Sequence, residues 1–301
     1  MTTMQYRTSL GSYYTENRTY NNRAQTVEIQ AGVPGLPGFG VLDLRYAYNT
    51  GMNNGQVAQT TDANSGEQVT YQYDSLKRLI QARTAGPGYG QSFGYDGWGN
   101  LVSKTPLREH TGTAMSLSVD PSTNHVTTSG SGYDANGNTT SLPSSTQNIT
   151  LSYDMMNRTG GTWFDQQNQP LDRAGVWNLY GLGGERLGTY AYTTSTQQYT
   201  YPNLVIVVTT APETRMSRNI YFGGRLIQSN GSTVLTDRMG SVRTNEAGAG
   251  SEYLPYGEEV SGTANDREKF ATYTKGTQFV VASSSIPKFK VLFPDAQQRS
   301  Y

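Results

Sequence analysis

"YQYDSLKRL", residues 71–79, carries two tyrosines two apart, an aspartate directly after the second, and a fresh apolar position at Leu79. Alternate residues of a strand face the same side, so Tyr71 and Tyr73 share one face of a sheet and Asp74 falls where the chain turns. The arrangement returns in "FGYDGWGNL" (93–101), "SGYDANGNT" (131–139) and "LSYDMMNRT" (151–159). In these copies Tyr-Asp is followed, after two further residues, by Lys77, Gly99, Gly137 or Asn157, and then by Arg78, Asn100, Asn138 or Arg158. Three of those four turn positions are Gly or Asn, which accept positive φ at least cost. Each copy therefore reads as a strand, a tight turn and a returning strand, marked by Tyr73-Asp74, Tyr95-Asp96, Tyr133-Asp134 and Tyr153-Asp154.

Weaker copies extend the array. "YAYNTGMNNGQV" (46–57) has Asn49 for Asp and a longer turn ending in Asn54-Gly55. "NLYGLGGERL" (178–187) has Gly181 for Asp, "LSVDPSTNHV" (117–126) has Val119 for Tyr, and "RTYNNRAQTV" (18–27) is a shorter relative. The second tyrosines stand at 48, 73, 95, 133, 153 and 180, with Val119 inside the widest gap. A spacing of roughly 20 to 27 residues is that of stacked supersecondary units, none of which buries its own apolar face alone. The expected class is all-β, built from tandem hairpins. "NDREKFATY" (265–273) is the best short helical candidate.

Composition narrows the function. The 301 residues include 22 Tyr, 34 Gly and 8 Phe with only 35% hydrophobic residues, so tyrosine rings supply much of the packing. Lys plus Arg and Asp plus Glu both total 23, without the basic excess of a nucleic-acid binder. The longest apolar run, "LVIVV" (204–208), is strand-sized, far short of a membrane span, and reads as a buried or edge strand prone to sticking. The opening "MTTMQYRTSLGSYY" lacks a signal-peptide core; either export does not use that route or the chain begins inside a longer one. With no cysteine there are no disulfides, thiolate metal sites or cysteine nucleophiles.

The tandem copies resemble the YD repeats of the RHS (rearrangement hot spot) family. The next segment is similar to the RHS repeat-associated core: "YFGGRLI" (221–227) with Gly223, Gly224 and Arg225; "TDRMGSVR" (236–243) with Asp237, Arg238, Gly240 and Arg243; "YLPYGEE" (253–259) with Pro255, Tyr256 and Gly257; and "KFATYT" (269–274). The resemblance covers about residues 44–275. It implies a ribbon of hairpins spiralling around a hollow interior, which in bacterial members encloses a toxic C-terminal segment and in animal relatives serves adhesion, placing the protein outside the cell or at its surface. The family's Gly-Arg-Phe motif and self-cleaving aspartates are missing after Gly276, where "FPDA" (293–296) is only an echo, so neither is carried over and a truncated or frame-shifted end is expected. The expected organisation is a degenerate segment 1–43, repeats 44–190, connecting strands 191–218, a core-like segment 219–275 and a divergent tail 276–301.

The remaining features read plainly. His110 and His125 lack nucleophile and acid partners and are taken as surface residues. "GYGQSFG" (88–94) and "GLGGER" (181–186) lack the context of phosphate loops and read as hairpin turns. "GEE" (257–259) reads as a solvated turn. Asp237, Arg238 and Arg243 are expected to cluster between the last hairpins, as a structural network or as ordinary exposed ion pairs. The YD rings are read as cross-strand ladders, with carbohydrate stacking as the alternative. No catalytic, cofactor or metal residue is assigned. The expected function is a non-enzymatic shell segment around a cargo, or its own continuation, with a glycan-binding adhesion repeat or an orphan fragment as alternatives.

Overall fold

The computed structural model describes residues 1–7, 11, 13–33, 40–51, 53–127, 130–142, 147–166, 169–193, 195–201, 204–210, 213–246, 248 and 250–261. The helical candidate at 265–273, "KFATYT" and the tail 276–301 lie outside them. No described residue is helical, and every named strand pair is antiparallel.

The chain forms two compact units. The first, Met1–Asn124 with Gly231–Thr272, contains an open ten-stranded meander. Its strands run in chain order: β1 (Thr2–Arg7), β2 (Tyr13–Tyr20), β3 (Thr26–Gly32), β4 (Leu42–Tyr48), β5 (Val57–Asp62), β6 (Gln68–Tyr73), β7 (Leu79–Thr84), β8 (Gly90–Tyr95), β9 (Leu101–Pro106) and β10 (Met115–Ser116). Because short turns join each strand to the next, neighbours in sequence are neighbours in the sheet. Ile29, Ala31, Leu42, Leu44, Tyr46, Val57, Ala82 and Phe93 are buried, and burying side chains the size of Ile29 or Leu44 contributes about 1.5–3 kcal/mol each.

The second unit, His125–Asn230 with Tyr273–Tyr301, continues the pattern with β11 (Gly132–Tyr133), β12 (Thr139–Leu142), β13 (Gln147–Tyr153), β14 (Thr159–Gln166), β15 (Gln169–Tyr180) and β16 (Arg186–Thr193). β17 (Ser195–Tyr201) and β18 (Leu204–Thr210), the strand holding "LVIVV", form a separate two-stranded sheet, and β16 pairs instead with β19 (Glu213–Phe222), which pairs with β20 (Arg225–Ser229). The hairpin of β17 and β18 is thus an excursion between adjacent strands, and among the described residues neither member pairs with a third strand. Ile149 and Leu151, packed by Leu142 and Tyr153, form a small core. The last hairpins, β21 (Ser232–Thr236) with β22 (Val242–Asn245) and β23 (Glu252–Tyr253) with β24 (Glu259–Ser261), belong to the first unit.

Candidate functional site

One turn recurs eight times among the described residues. The N–H of residue i donates to the carbonyl of i+4 and the N–H of i+3 donates to the carbonyl of i, where i is Asn21, Asp74, Asp96, Asp134, Asp154, Gly181, Asp237 or Leu254. Position i+3 always has positive φ: 57° at Ala24, 65° at Lys77, 90° at Gly99, 83° at Gly137, 57° at Asn157, 89° at Gly184, 86° at Gly240 and 83° at Gly257. Each turn follows a register shift at the tyrosine position, as between Gln72 and Tyr73, where Tyr73 pairs with Leu79. The extra residue is a β-bulge, which twists the hairpin at its turn.

Aspartate suits position i because its carboxylate closes the turn a second time. Asp74 Oδ1 accepts the N–H groups of Leu76 (3.0 Å) and Arg78 (2.8 Å), while Oδ2 accepts Arg78 Nε (2.7 Å). Asp96 and Asp134 do the same with Asn100 and Asn138, and Asp154 with Arg158. The Asn100 and Asn138 side chains, with the backbone donors, hold Asp96 and Asp134 below the usual carboxylate range. At Asp74 and Asp154 desolvation pushes upward but the hydrogen bonds from Arg78 and Arg158 outweigh it, so these too are lowered.

Two contacts link each turn to its neighbours. The tyrosine hydroxyl donates backwards to a carbonyl of the preceding repeat: Tyr48 to Thr26 (2.9 Å), Tyr73 to Val57 (3.0 Å), Tyr95 to Leu79 (2.7 Å), Tyr153 to Thr139 (2.9 Å) and Tyr180 to Thr159 (3.0 Å). The Tyr133 hydroxyl donates backwards to the Val126 carbonyl at 3.4 Å and also accepts the Val126 N–H at 3.0 Å, and its ring is stacked on His125 at 3.9 Å. Residue i+4 reaches forwards: Arg78 and Arg158 lie 4.9 and 4.5 Å over the rings of Tyr95 and Tyr180, while Asn100 and Asn138 bond Asn124 and Asn157. Burial raises the pKa of Tyr48, Tyr95 and Tyr153, and that of Tyr73 to about 12.

In the first unit the ring face has a cover. Arg238, at the tip of the Asp237 turn, lies 5.8 Å over Tyr46, a buried ring whose pKa is raised by desolvation. Tyr256, at the tip of the Leu254 turn, packs edge-on to Phe93 at 4.9 Å and hydrogen-bonds the Tyr95 hydroxyl. Tyr71 is half-buried, and desolvation raises its pKa. Lys104, buried in β9, pairs with Glu258. From the N-terminal side, Arg18 is held by Glu16 and donates to the Thr236 carbonyl at 2.9 Å.

Sequence reasoning missed several of these partners. Asp237, Arg238 and Arg243 do not pair with one another: Asp237 closes its own turn, Arg238 covers Tyr46 and Arg243 faces Asp62 at 3.6 Å. Glu258 is tied to Lys104 rather than solvated, and His125 stacks instead of standing free. His110 is half-buried, against Gly90, where an added Cβ would come within 2.5 Å of its ring. Gly223 and Gly224 form the β19–β20 turn with positive φ, Arg225 opens β20, and Pro255 sits beside Tyr256 in the last turn. Among the described residues no group of three acidic, histidine or cysteine side chains is placed to hold a metal.

The family model of the RHS Repeat matches residues 53–87, which span the Asp74 turn. Residues 53–87 are thus similar to an RHS repeat. Among solved structures the repeats are similar to a chain in the crystal structure of TcdB2-TccC3-TEV, with a TM-score of 0.59 at 15% identity. The match covers 90% of this chain and 17% of that one, so the likeness is one of fold over a small part of a much longer polypeptide. No curated protein matches.

Proposed function

We propose that the chain is a non-enzymatic segment of an RHS-type toxin shell, secreted or displayed at the cell surface, whose hairpins wall a compartment for a polypeptide cargo. Residues 44–190 supply the repeats and 219–275 the core-like segment. The observation that carries this reading is the use of the YD rings: in the first unit they seat the Arg238 and Tyr256 tips, and elsewhere they bond the preceding repeat. Likeness in fold to the toxin component TcdB2-TccC3 supports it.

The test is limited proteolysis of the protein expressed from its whole natural reading frame. A shell leaves a C-terminal cargo fragment protected and co-purifying with the repeats until the shell is denatured. Immediate digestion of everything beyond the repeats, together with saturable binding on a glycan array, would replace the container with an adhesion repeat.

A further inference from the structure

The tips of the YD turns carry large apolar side chains that the fold leaves uncovered. Leu76 and Trp98, at i+2 of the Asp74 and Asp96 turns of the first unit, are 69% and 71% exposed. In the second unit Met155 and Met156 take i+1 and i+2 of the Asp154 turn at 97% and 61%, and Leu182, at i+1 of the Gly181 turn, is fully exposed. Isolated exposed leucines are ordinary on a folded surface, but these residues stand on adjoining turns. Arg78 donates to the Asp96 carbonyl at 3.5 Å and Arg158 to the Gly181 carbonyl at 3.4 Å, which holds each turn beside the next. Tyr256, at the same i+2 position of the Leu254 turn, is instead packed on Phe93.

The backbone beneath these side chains already has partners. The N–H groups of Leu76, Trp98 and Met156 donate to the carboxylates of Asp74, Asp96 and Asp154 at 3.0, 3.0 and 2.9 Å, and those of i+3 and i+4 donate to the same aspartates. A turn entering an apolar phase pays most for backbone donors that lose water without replacement, and these donors need none. The carboxylates are matched as well: Asp74 and Asp154 pair with Arg78 and Arg158 at 2.7 Å, and Asp96 accepts the Asn100 amide at 2.7 Å. The Trp98 ring stands clear, since a Cβ on Gly97 or Gly99 would meet nothing within 4 Å. Side chains that protrude singly offer a folded partner no groove, whereas a fluid phase closes round each of them.

We propose that these turn tips anchor the protein to a lipid surface. Leu76 and Trp98 of the first unit, and Met155, Met156 and Leu182 of the second, enter the boundary between headgroups and acyl chains without crossing the bilayer. An indole is suited to that boundary, and the exposed ammonium of Lys77, next to Leu76, meets the lipid phosphates.

The test uses the full chain with vesicles of phosphatidylcholine alone or mixed with phosphatidylglycerol, read by co-flotation and by quenching of tryptophan fluorescence with lipid brominated on its acyl chains. Saturable flotation is expected, with quenching that falls in Trp98→Phe. The double variants Leu76→Ser with Trp98→Ser, and Met156→Ser with Leu182→Ser, should each weaken partitioning roughly tenfold. Lys77→Gln should weaken it roughly fivefold on the vesicles that contain phosphatidylglycerol. Tyr13→Ser, an exposed strand position away from these tips, should leave it unchanged. No flotation by a protein whose circular dichroism shows it folded overturns the proposal, as does flotation indifferent to both double variants or quenching unaltered by Trp98→Phe. Self-association in gel filtration that the double variants abolish, without flotation, would overturn it in favour of contact between copies of the chain.

Discussion

Arg158 holds two repeats at once: its Nε bonds Asp154 at 2.8 Å in its own turn, and its guanidinium lies 4.5 Å over the ring of Tyr180 in the next. The carboxylate fixes the plane of the guanidinium, so the ring meets a preorganised cation. A double-mutant cycle with Arg158→Met and Tyr180→Leu should give a coupling of about 0.5–1 kcal/mol in urea melts. Additive losses would show that the stacking contributes nothing.

Removing only the hydroxyl from Tyr153 tests the backward bond to Thr139. Tyr153→Phe should cost about 0.5–1.5 kcal/mol, and Tyr153→Ala several-fold more because the half-buried ring goes too. Equal thermal melting of wild type and Tyr153→Phe would remove the hydrogen bond from the account.

Acid should loosen the turns. Asp74, Asp96, Asp134 and Asp154 all titrate below their ordinary range when folded. A depressed folded pKa gives stability that is full above the unfolded carboxylate value of about 3.9 and is lost as pH falls through the lower folded values. The melting temperature should therefore fall steeply below about pH 4, and less steeply in a variant with all four changed to Asn. Identical pH profiles would place the acid sensitivity elsewhere.

Position i+3 offers a test of backbone strain free of packing. Lys77 holds φ of 65°, and Lys77→Gly should stabilise by roughly 0.5–1 kcal/mol. Gly99 has φ of 90° and nothing within 4 Å of its absent side chain, so Gly99→Ala should cost about 1 kcal/mol through backbone alone. If both shifts in denaturant midpoint had the same sign, φ would not be the governing variable.

These examples show what the letters carry. The all-β class was legible because alternating tyrosines and Gly or Asn at i+3 mark strands and turns directly. The turns at Asp237 and Leu254 were not read as members of the array, because Thr236 and Leu254 break the Tyr-Asp signature while the backbone hydrogen bonds that define the turn persist. Ala24 likewise takes the positive φ for which the sequence offers no cue. Pairs such as Lys104 with Glu258 and Tyr95 with Tyr256, separated by 154 and 161 residues, depend on which segment folds back over which strand. No local pattern encodes that.

The backward direction of the tyrosine bonds has a temporal meaning. For Tyr48, Tyr73, Tyr95, Tyr153 and Tyr180 the accepting carbonyl belongs to a residue closer to the N-terminus. On a ribosome such an acceptor has already been made when its tyrosine emerges, so every new hairpin docks onto finished work and the ribbon assembles at the pace of translation.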